Sequence, residues 1–552
     1  MKRIVYGSKM KKVDSYAIEQ IGIPSMVLME RAAFSVYEYM VANVEKNSRV
    51  ICVCGTGNNG ADGIALARML CIDGYKADVL IIGKESRATD EWHSQRNIAR
   101  KCDVNIISLD VCGKDTQNIV TVDNNMSYSI DKSALNDMLM DYDIIVDGIF
   151  GIGIAREVEG IYRDVIEVIN NLDKIVYSLD VPSGLCADTG NVMGVAVKAD
   201  ITFTFGACKA GLWLDEGREY AGKIVENPIG FPEKAYEQGL EKCDICYKIT
   251  QEDISCVYER KQYSNKGTYG KVLVIGGSKN VYGAAYFATM AAMKLGSGLV
   301  RLITHVNNRN LVYEKLPEAM INTYRTAEDE GILCSMVKEG VQWADAVVIG
   351  PGLSKGEEAY ILLKAAMSAT KEQNKPIVID ADGLNLLSEH NELAEFYHKK
   401  TIITPHIGEA ARLVDKQPEY VAKNIIKVMG DYGRQYGITI VAKDATTVII
   451  GIESSEDKCH NRVCINTTGN PGMATGGSGD VLAGMIGASV SGGIDIEKMD
   501  EYIHCNDKEE MKMYLASSVA VYLHGLAGDS GARLKGETSL TASDILDNIG
   551  AR

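Results

Sequence analysis

Short apolar runs alternate with stretches of helical spacing along most of the chain. Residues 50–54 form the first such run and are followed by glycines, which is typical of a buried strand before a tight turn. Upstream, apolar residues in 14–43 recur at helical spacing and predict two helices, with Pro24 in the first turn of the second. Similar runs predict strands at 79–82, 144–146, 175–177 and 201–205. The first half is therefore predicted to be an α/β domain with a mostly parallel sheet.

The pattern loosens between residues 222 and 268, which we interpret as an exit segment and linker. Beyond it the alternation resumes and predicts a second α/β domain. Its strands are expected at 272–275, 347–349, 377–379, 402–403 and 438–442. We expect the two domains to occupy residues 1–225 and 240–552.

Composition and charge exclude some classes of function, but they say little about the fold. With 552 residues and a formal net charge of -16, the chain is not expected to bind nucleic acid non-specifically, because phosphate affinity needs clustered Lys and Arg. The N-terminus lacks the apolar run of a signal peptide, and no stretch reaches the length of a membrane span. We therefore expect a cytoplasmic protein with no membrane partner, and we also expect a homo-oligomer.

A glycine-rich turn follows the first predicted strand. Gly55, Gly57 and Gly60 match the dinucleotide fingerprint GxGxxG, which is weak evidence alone. A dinucleotide site also needs an acid at the end of the next strand, whereas Asp78 is expected to begin that strand. An ordinary tight turn explains the glycines equally well, but it does not explain the pair of asparagines and the aspartate that follow.

Two further predicted strands end in an aspartate followed by glycines. Asp147 precedes GIFGIG, and Asp180 precedes VPSG. A single strand-end aspartate is commonly a helix cap. Two of them at the carboxyl edge of a parallel sheet, facing an Asn-Asn turn, indicate a ligand site.

The motifs GNNGADG, VDGIFGIG and DVPSG, with LMERA at 28–32, resemble the NAD(P)H-hydrate epimerase family over roughly residues 1–225. The resemblance implies a Rossmann-like three-layer α/β/α domain and the interconversion of R and S hydrates. It also implies that Asp180 is catalytic and contacts the nucleotide, and that Asn59, Asp147 and Ser183 bind K⁺, whose preference for oxygen ligands they suit. The substrate contacts implied are Asn58, Asn59, Gly60, Ala61, Asp62, Gly151, Ile152, Gly153, Ile154, Ala155, Arg156 and Glu157.

This sequence departs from the family pattern at two places. Ala61 stands where the family commonly has glycine, and a small residue there should leave the loop intact. The loop 151–157, GIGIARE, differs from the common aromatic-rich version.

The most specific pattern in the chain is the glycine-rich stretch 470–484. A turn of this kind exposes several N–H groups, and a helix that begins near Asp480 directs its positive end at them. Such a turn can hold a phosphoryl group in transit, and the carboxylate can accept a proton from an attacking hydroxyl. Glycines also permit close packing, but packing does not explain the aspartate. No P-loop motif occurs.

Other fragments end predicted strands at the same edge: 276–278, 350–354, 380–385, 404–409 and 443–447. With KGTYG at 266–270 they resemble the ADP- or ATP-dependent NAD(P)H-hydrate dehydratase family, which has a ribokinase-like α/β fold, over residues 240–552. Ala284, Gly352, His406 and Asp480 would contact the hydrated nucleotide. The adenine nucleotide would be contacted by Lys443, Asp444, Ala445, Thr446, Thr447 and Gly479.

The resemblance implies a reaction in which Asp480 takes the proton of the ring hydroxyl, which is phosphorylated and leaves as phosphate. NADHX and NADPHX are the expected substrates, ADP the expected donor, and Mg²⁺ the expected metal at the donor. Two alternatives stay open on sequence alone. The second half would serve equally as a small-molecule alcohol kinase, and the first half as a non-catalytic binding or assembly module.

Overall fold

A computed structural model describes residues 1–112, 117–122, 126–255, 262–454, 459–493 and 508–550. The chain divides into two compact units. The first unit is Arg3–Cys246, and the second unit is Met1–Lys2 with Tyr247–Arg552. The predicted domain limits of 1–225 and 240–552 stay a prediction.

The strands are short and mostly apolar. They are β1 (Lys2–Val5), β2 (Arg49–Cys54), β3 (Lys76–Ile82), β4 (Ile106–Cys112), β5 (Gln117–Val122), β6 (Met126–Ile130), β7 (Ile144–Gly148), β8 (Ile175–Leu179), β9 (Ile201–Phe205), β10 (Cys208–Lys209), β11 (Lys223–Asn227), β12 (Ile245–Lys248), β13 (Lys271–Ile275), β14 (Leu299–His305), β15 (Met320–Tyr324), β16 (Ala346–Ile349), β17 (Ile377–Ile379), β18 (Thr401–Ile403), β19 (Thr439–Ala442), β20 (Val448–Ser454) and β21 (Cys459–Ile465).

Helices separate most of the strands. They are α1 (Gly7–Ser15), α2 (Ser25–Asn43), α3 (Asn58–Ile72), α4 (Asp90–Lys101), α5 (Lys132–Met140), α6 (Ile161–Asn171), α7 (Gly217–Ala221), α8 (Glu233–Gly239), α9 (Gln251–Ser255), α10 (Gly283–Lys294), α11 (Arg309–Lys315), α12 (Glu330–Trp343), α13 (Glu357–Glu372), α14 (Asp382–Glu389), α15 (Ile407–Val414), α16 (Pro418–Lys423), α17 (Ile425–Tyr436), α18 (Ser478–Ala488), α19 (Lys508–Lys535) and α20 (Ala542–Asp547). Across the described part of the chain, none of the helices is long and apolar enough to cross a bilayer.

In the first unit, a nine-stranded sheet has the order β11-β9-β8-β7-β2-β3-β4-β5-β6. It is parallel from β11 to β4, and β5 and β6 add to it antiparallel. Successive residues of β2 face opposite sides: Cys52 packs with α2 and α3, and Val53 packs with α5 and α6. The unit therefore has three layers, as predicted.

In the second unit, the strand order is β21-β20-β19-β18-β17-β16-β13-β14-β15. The strands from β19 to β15 are parallel, and β20 pairs antiparallel with both β19 and β21. Val272 and Val274 of β13 pack with α10, α18 and α19. Leu273 faces α12 on the other side, close to Gly340. The predicted α/β class with a mainly parallel sheet is confirmed for both units.

Three local predictions were wrong. The first helix begins at Gly7 rather than near residue 14, because its many lysines hide the apolar spacing. Pro24 is the N-cap of α2 and not part of its first turn. The stretch expected to be a linker contains β11, which pairs with β9 along its length. β11 is partly exposed throughout, and an edge strand with so few apolar residues gives a weak pattern. Residues 256–261 of that stretch lie outside the described residues.

Candidate functional site

The turn after β2 is held against the loop after β7. A Cβ on Gly55 would overlap the carbonyl of Ile149, and a Cβ on Gly60 would overlap the carbonyl of Gly55. Close backbone packing therefore accounts for two of the three fingerprint glycines. Asp78 lies within β3 rather than at its start, and its Oδ2 accepts a hydrogen bond of 2.7 Å from the Tyr142 hydroxyl.

Asn59 lies in the first turn of α3 and is 9% exposed. Its amide nitrogen donates to the carbonyl of Phe150 at 2.9 Å and to the carbonyl of Leu179 at 3.1 Å. The Oδ1 atom is buried and has no hydrogen-bond partner among the described residues. An unpaired buried oxygen is costly, and it is suited to a cation that enters the site.

Asp147 is completely buried at the end of β7. Its Oδ2 accepts from the Ser178 hydroxyl and from the Ser183 N–H, both at 2.8 Å, and its Oδ1 accepts from the Ser183 hydroxyl and the Ile149 N–H. Burial raises the pKa of Asp147, and hydrogen bonds from Ser183 and its neighbours oppose that rise. Within the described ranges no lysine or arginine pairs with this carboxyl group.

Asp180 follows β8 in the left-handed region, with φ of 63°. Its Oδ1 accepts from the ammonium of Lys209 and from the Phe205 N–H. Burial raises the pKa of Asp62 well above its usual range, the charges of Asp180 and Asp14 add to the rise, and Lys209 opposes it. One lysine therefore faces several acidic side chains here.

The loop 151–157 extends from this site. A Cβ on Gly151 would lie 3.4 Å from the Asn59 Cβ and 3.7 Å from Asp180 Oδ2, so the loop starts beside both side chains. The far end is elsewhere, because the Cβ of Glu157 packs beside Gly194. The start of this predicted phosphate loop therefore lies beside Asn59 and Asp180.

In the second unit, the glycine-rich turn leads into α18. Gly477 is the N-cap with φ of 95°, and a Cβ there would press on the ring of Phe287. Asp480 stands in the first turn of this helix. Burial, with added repulsion from Asp380, raises the pKa of Asp480 to about 7, and Lys443 opposes the rise. A carboxyl group with this pKa can take and return a proton near neutral pH.

Asp380 and Lys443 form an ion pair beside the turn. Lys443 Nζ lies 2.6 Å from Asp380 Oδ1, which also accepts from the Thr404 hydroxyl at 2.7 Å. A Cβ on Gly479 would be 3.2 Å from Lys443 Nζ, so the ammonium lies next to the glycine-rich turn. Burial lowers the pKa of Lys443, but the nearby carboxylates, Asp380 first, raise it further than burial lowers it.

His406 caps the N-terminus of α15 together with Glu409. The Gly408 N–H donates to His406 Nδ1, and the His406 N–H donates to Glu409 Oε2, each at 2.9 Å. Burial, followed by the charges of Lys443 and Arg412, lowers the pKa of His406. Burial raises the pKa of Glu409 to about 7, with Lys443 opposing and Asp380 adding to the rise.

The remaining predicted contacts of the second unit lie at the same edge. Ala284 is the second residue of α10, and its Cβ lies 3.0 Å from where a Cβ on Gly352 would stand; Gly352 has φ of 62°. Lys443 pairs with His406 in an isolated parallel bridge, which brings the end of β19 to the end of β18. Of the polar residues after Lys443, Thr446 has a buried hydroxyl without a hydrogen-bond partner in the described chain.

Two family models match the chain. The model described as NAD(P)H-hydrate dehydratase matches residues 272–550, and the model described as YjeF-related protein N-terminus matches residues 25–211. A bifunctional NAD(P)H-hydrate repair enzyme of Thermofilum pendens is 31% identical over 98% of this chain and 94% of its own length. The chain belongs to the bifunctional NAD(P)H-hydrate repair enzymes. A repair enzyme of this family from Moorella thermoacetica is 30% identical over 99% of this chain and 95% of its own.

Among solved structures, a ribokinase-like superfamily protein of Enterococcus faecalis has 28% identity and a TM-score of 0.45, covering 55% of this chain and 94% of its own. An ADP/ATP-dependent NAD(P)H-hydrate dehydratase of Bacillus subtilis, crystallised with ATP and Mg²⁺, has 26% identity and a TM-score of 0.43. It covers 55% of this chain and 97% of its own.

Three acidic or basic side chains of this repair-enzyme chain had no predicted role. Asp380 and Glu409 belong to motifs that follow predicted strands, and the sequence did not predict that both change the pKa of Asp480. Lys209 follows Gly206, Ala207 and Cys208 after β9, and no sequence pattern distinguished it from a surface lysine. Its burial next to Asp180 is visible only once β10 is placed beside β1.

The raised pKa of Glu409 predicts a pH-dependent stability. In the unfolded chain this carboxyl group ionises near its usual pKa of about 4.3, whereas in the fold it ionises at about 7. Stability should therefore fall as pH rises from about 4.5 to about 7.5. Glu409→Gln keeps the cap and does not titrate, so relative to wild type it should gain about 1–3 kcal/mol between pH 5 and pH 8. Urea unfolding at both pH values measures the difference. The exposed Glu395→Gln should show no such gain, and an equal gain at both pH values would contradict the assignment.

Proposed function

We propose that the chain repairs hydrated NADH and NADPH in two steps. The first unit interconverts the R and S forms, and the second unit dehydrates the S form while converting ADP to AMP and phosphate. The observation that supports this best is Asp480, a carboxyl group of pKa about 7 in the first turn of a helix whose N-terminus is a glycine-rich turn. In a kinase-like site such a group activates a hydroxyl toward a phosphoryl donor.

In the proposed dehydration, Asp480 accepts the proton of the ring hydroxyl. The hydroxyl oxygen attacks the terminal phosphorus of ADP, and the bond from that phosphorus to AMP breaks. N–H groups of the turn and the positive end of α18 stabilise the charge that develops on the phosphoryl oxygens. The phosphorylated oxygen then leaves the ring as phosphate, and loss of a ring proton restores the dihydropyridine. Phosphorylation converts a poor leaving group into a good one.

The proposed binding residues of the second unit lie at the carboxyl ends of its strands. Ala284, Gly352 and His406, with Asp480, would contact the hydrated nicotinamide nucleotide. The adenine nucleotide would lie against Gly479 and residues 443–447, where Lys443 is positioned under the turn. Mg²⁺ is usually held by one or two carboxylates together with phosphates, so we expect it to arrive with the donor. The expected cytoplasmic location and homo-oligomeric state stay predictions.

In the epimerase site, Asp180 would contact the nucleotide beside residues 58–62 and the start of the loop 151–157. Asn59, Asp147 and Ser183 suit K⁺ chemically, because all three offer oxygen ligands. Two observations support the fit: Asn59 Oδ1 is buried without a partner, and Asp147 is a buried carboxyl group without a cation beside it in the described chain. When bound, K⁺ would neutralise this buried charge and hold the loops that carry Asn59 and Ser183.

Asp480→Asn should separate the two activities. Asn keeps the size of the side chain but cannot take the hydroxyl proton, and loss of a general base typically costs about 10²–10⁴-fold in rate. Dehydration of the S form should fall by that factor, ADP affinity should stay within a few-fold, and R and S forms should still interconvert. Rates of NADH recovery and of epimer exchange measure both. Asp431→Asn, an exposed carboxylate of the second unit, should change neither, and near-normal dehydration by Asp480→Asn would disprove the role.

K⁺ dependence should be confined to the first unit. Replacing K⁺ by a large organic cation should slow epimerisation and leave dehydration of pure S form unchanged, because only the first site has the oxygen ligands described above. Asp147→Asn removes the charge while preserving the size, so it should weaken K⁺ and substrate together. Exchange rates across a K⁺ titration measure this, with the exposed Asp173→Asn as control. Equal epimerisation rates with and without K⁺ would exclude the site.

A further inference from the structure

Lys209 is a lysine in an unusual place. It lies in β10, and its side chain is only 2% exposed. Its Nζ donates to Asp180 Oδ1 and, at 2.6 Å, to the carbonyl of Phe205. Taking an ammonium out of water is expensive unless a charge and hydrogen bonds compensate for it, and lysine is almost never fully buried without such a partner. Its position therefore needs a reason beyond packing.

The reason lies in what Lys209 does to the two oxygens of Asp180. Oδ1 is occupied, because it accepts from Lys209 and, at 3.2 Å, from the Phe205 N–H. Oδ2 has no hydrogen-bond partner among the residues that the structure describes. It faces the start of the loop 151–157, 3.7 Å from where a Cβ on Gly151 would stand. One oxygen is held by the fold, and the other points into the predicted site.

Other charges around Asp180 make this arrangement sensitive to the loss of the ammonium. Burial is the largest cause that raises the pKa values of Asp14, near the end of α1, and of Asp62 in α3. The charge of Asp180 is the second cause for both, and Lys209 lowers both pKa values. Glu91 adds to the rise at Asp14. Lys209 thus faces all three aspartates. Without it, Asp180 Oδ1 would lose its charged partner, while the repulsion between the three carboxyl groups would remain.

We propose that Lys209 is a positioning residue of the epimerase site, which fixes Asp180 Oδ1 so that Oδ2 meets the hydrated nicotinamide ring. The inference rests on the proposed epimerase function and deepens it. Lys209 touches no substrate and acts through Asp180. Since small displacements of a reacting group are costly in rate, the side chain controls turnover more than substrate binding.

Lys209→Met tests the proposal in the full-length protein. At pH 7, kcat for the interconversion of R and S hydrated NADH should fall by about 10–100-fold, with KM changed by no more than a few-fold. Lys209→Arg retains the charge and N–H donors toward Asp180, so it should retain more activity than Lys209→Met.

Two controls separate positioning from general damage. Dehydration of pure S form by the same preparations should be unchanged, which reports on the intact second unit. Lys132→Met removes an exposed lysine that pairs with Glu167 in the first unit, and it should leave epimerisation unchanged. If wild type does not interconvert the epimers, the proposed function fails. If wild type does and Lys209→Met keeps its kcat within two-fold, the proposal for Lys209 alone is overturned.

A double-variant comparison covers the case in which Lys209→Met does not fold. Asp180→Asn with Lys209→Met leaves no unpaired charge from this pair. Because Lys209 is proposed to act only through Asp180, the double variant should epimerise within two-fold of Asp180→Asn alone. A further fall of ten-fold or more, with the first unit folded as judged by circular dichroism, would mean that Lys209 acts independently of Asp180 and would overturn the proposal.

Discussion

Each unit places a buried lysine among more carboxyl groups than one ammonium can neutralise. Lys209 faces Asp14, Asp62 and Asp180 in the first unit, and Lys443 faces Asp380, Glu409 and Asp480 in the second. Burial and mutual repulsion then keep some of these groups protonated near neutral pH. Both predicted reactions transfer protons. Enzymes commonly assign the acid and base roles to neighbouring carboxyl groups whose pKa values differ.

These charge clusters form because the strands of each sheet end at a common edge. In a parallel sheet the carboxyl ends of neighbouring strands meet at one edge, so aspartates that are far apart in sequence are brought together. Backbone dihedral angles show that residues at these sheet edges are held in unfavourable conformations. Asp180 and Ala381 both follow strand-end positions with φ of 63° and 49°, a region that costs non-glycine residues about 1–3 kcal/mol and persists only where the surroundings hold it.

The sequence was most informative where apolar runs end in motifs. Runs such as 144–146 and 347–349 predicted strands that the structure contains. The motifs that follow such strands marked one sheet edge in each unit, with Asn59 and Asp147 in the first unit and Asp480 in the second. Edge strands were missed, since β11 has few apolar residues and one exposed side. Lys209 and Asp380 could not be predicted as partners of Asp180 and Lys443, because an ion pair between distant segments depends on the three-dimensional arrangement of strands and leaves no local pattern.

The claim that one chain carries both reactions is tested most directly with the pure R form of hydrated NADH. The account predicts that purified protein with K⁺, Mg²⁺ and ADP returns all of it to NADH, followed by reduced-nicotinamide absorbance, with one AMP and one phosphate formed per molecule repaired. ADP should give a higher kcat/KM than ATP. An R form that is never recovered would contradict the epimerase assignment, and a phosphorylated hydrate that accumulates without loss of phosphate would show instead a small-molecule kinase.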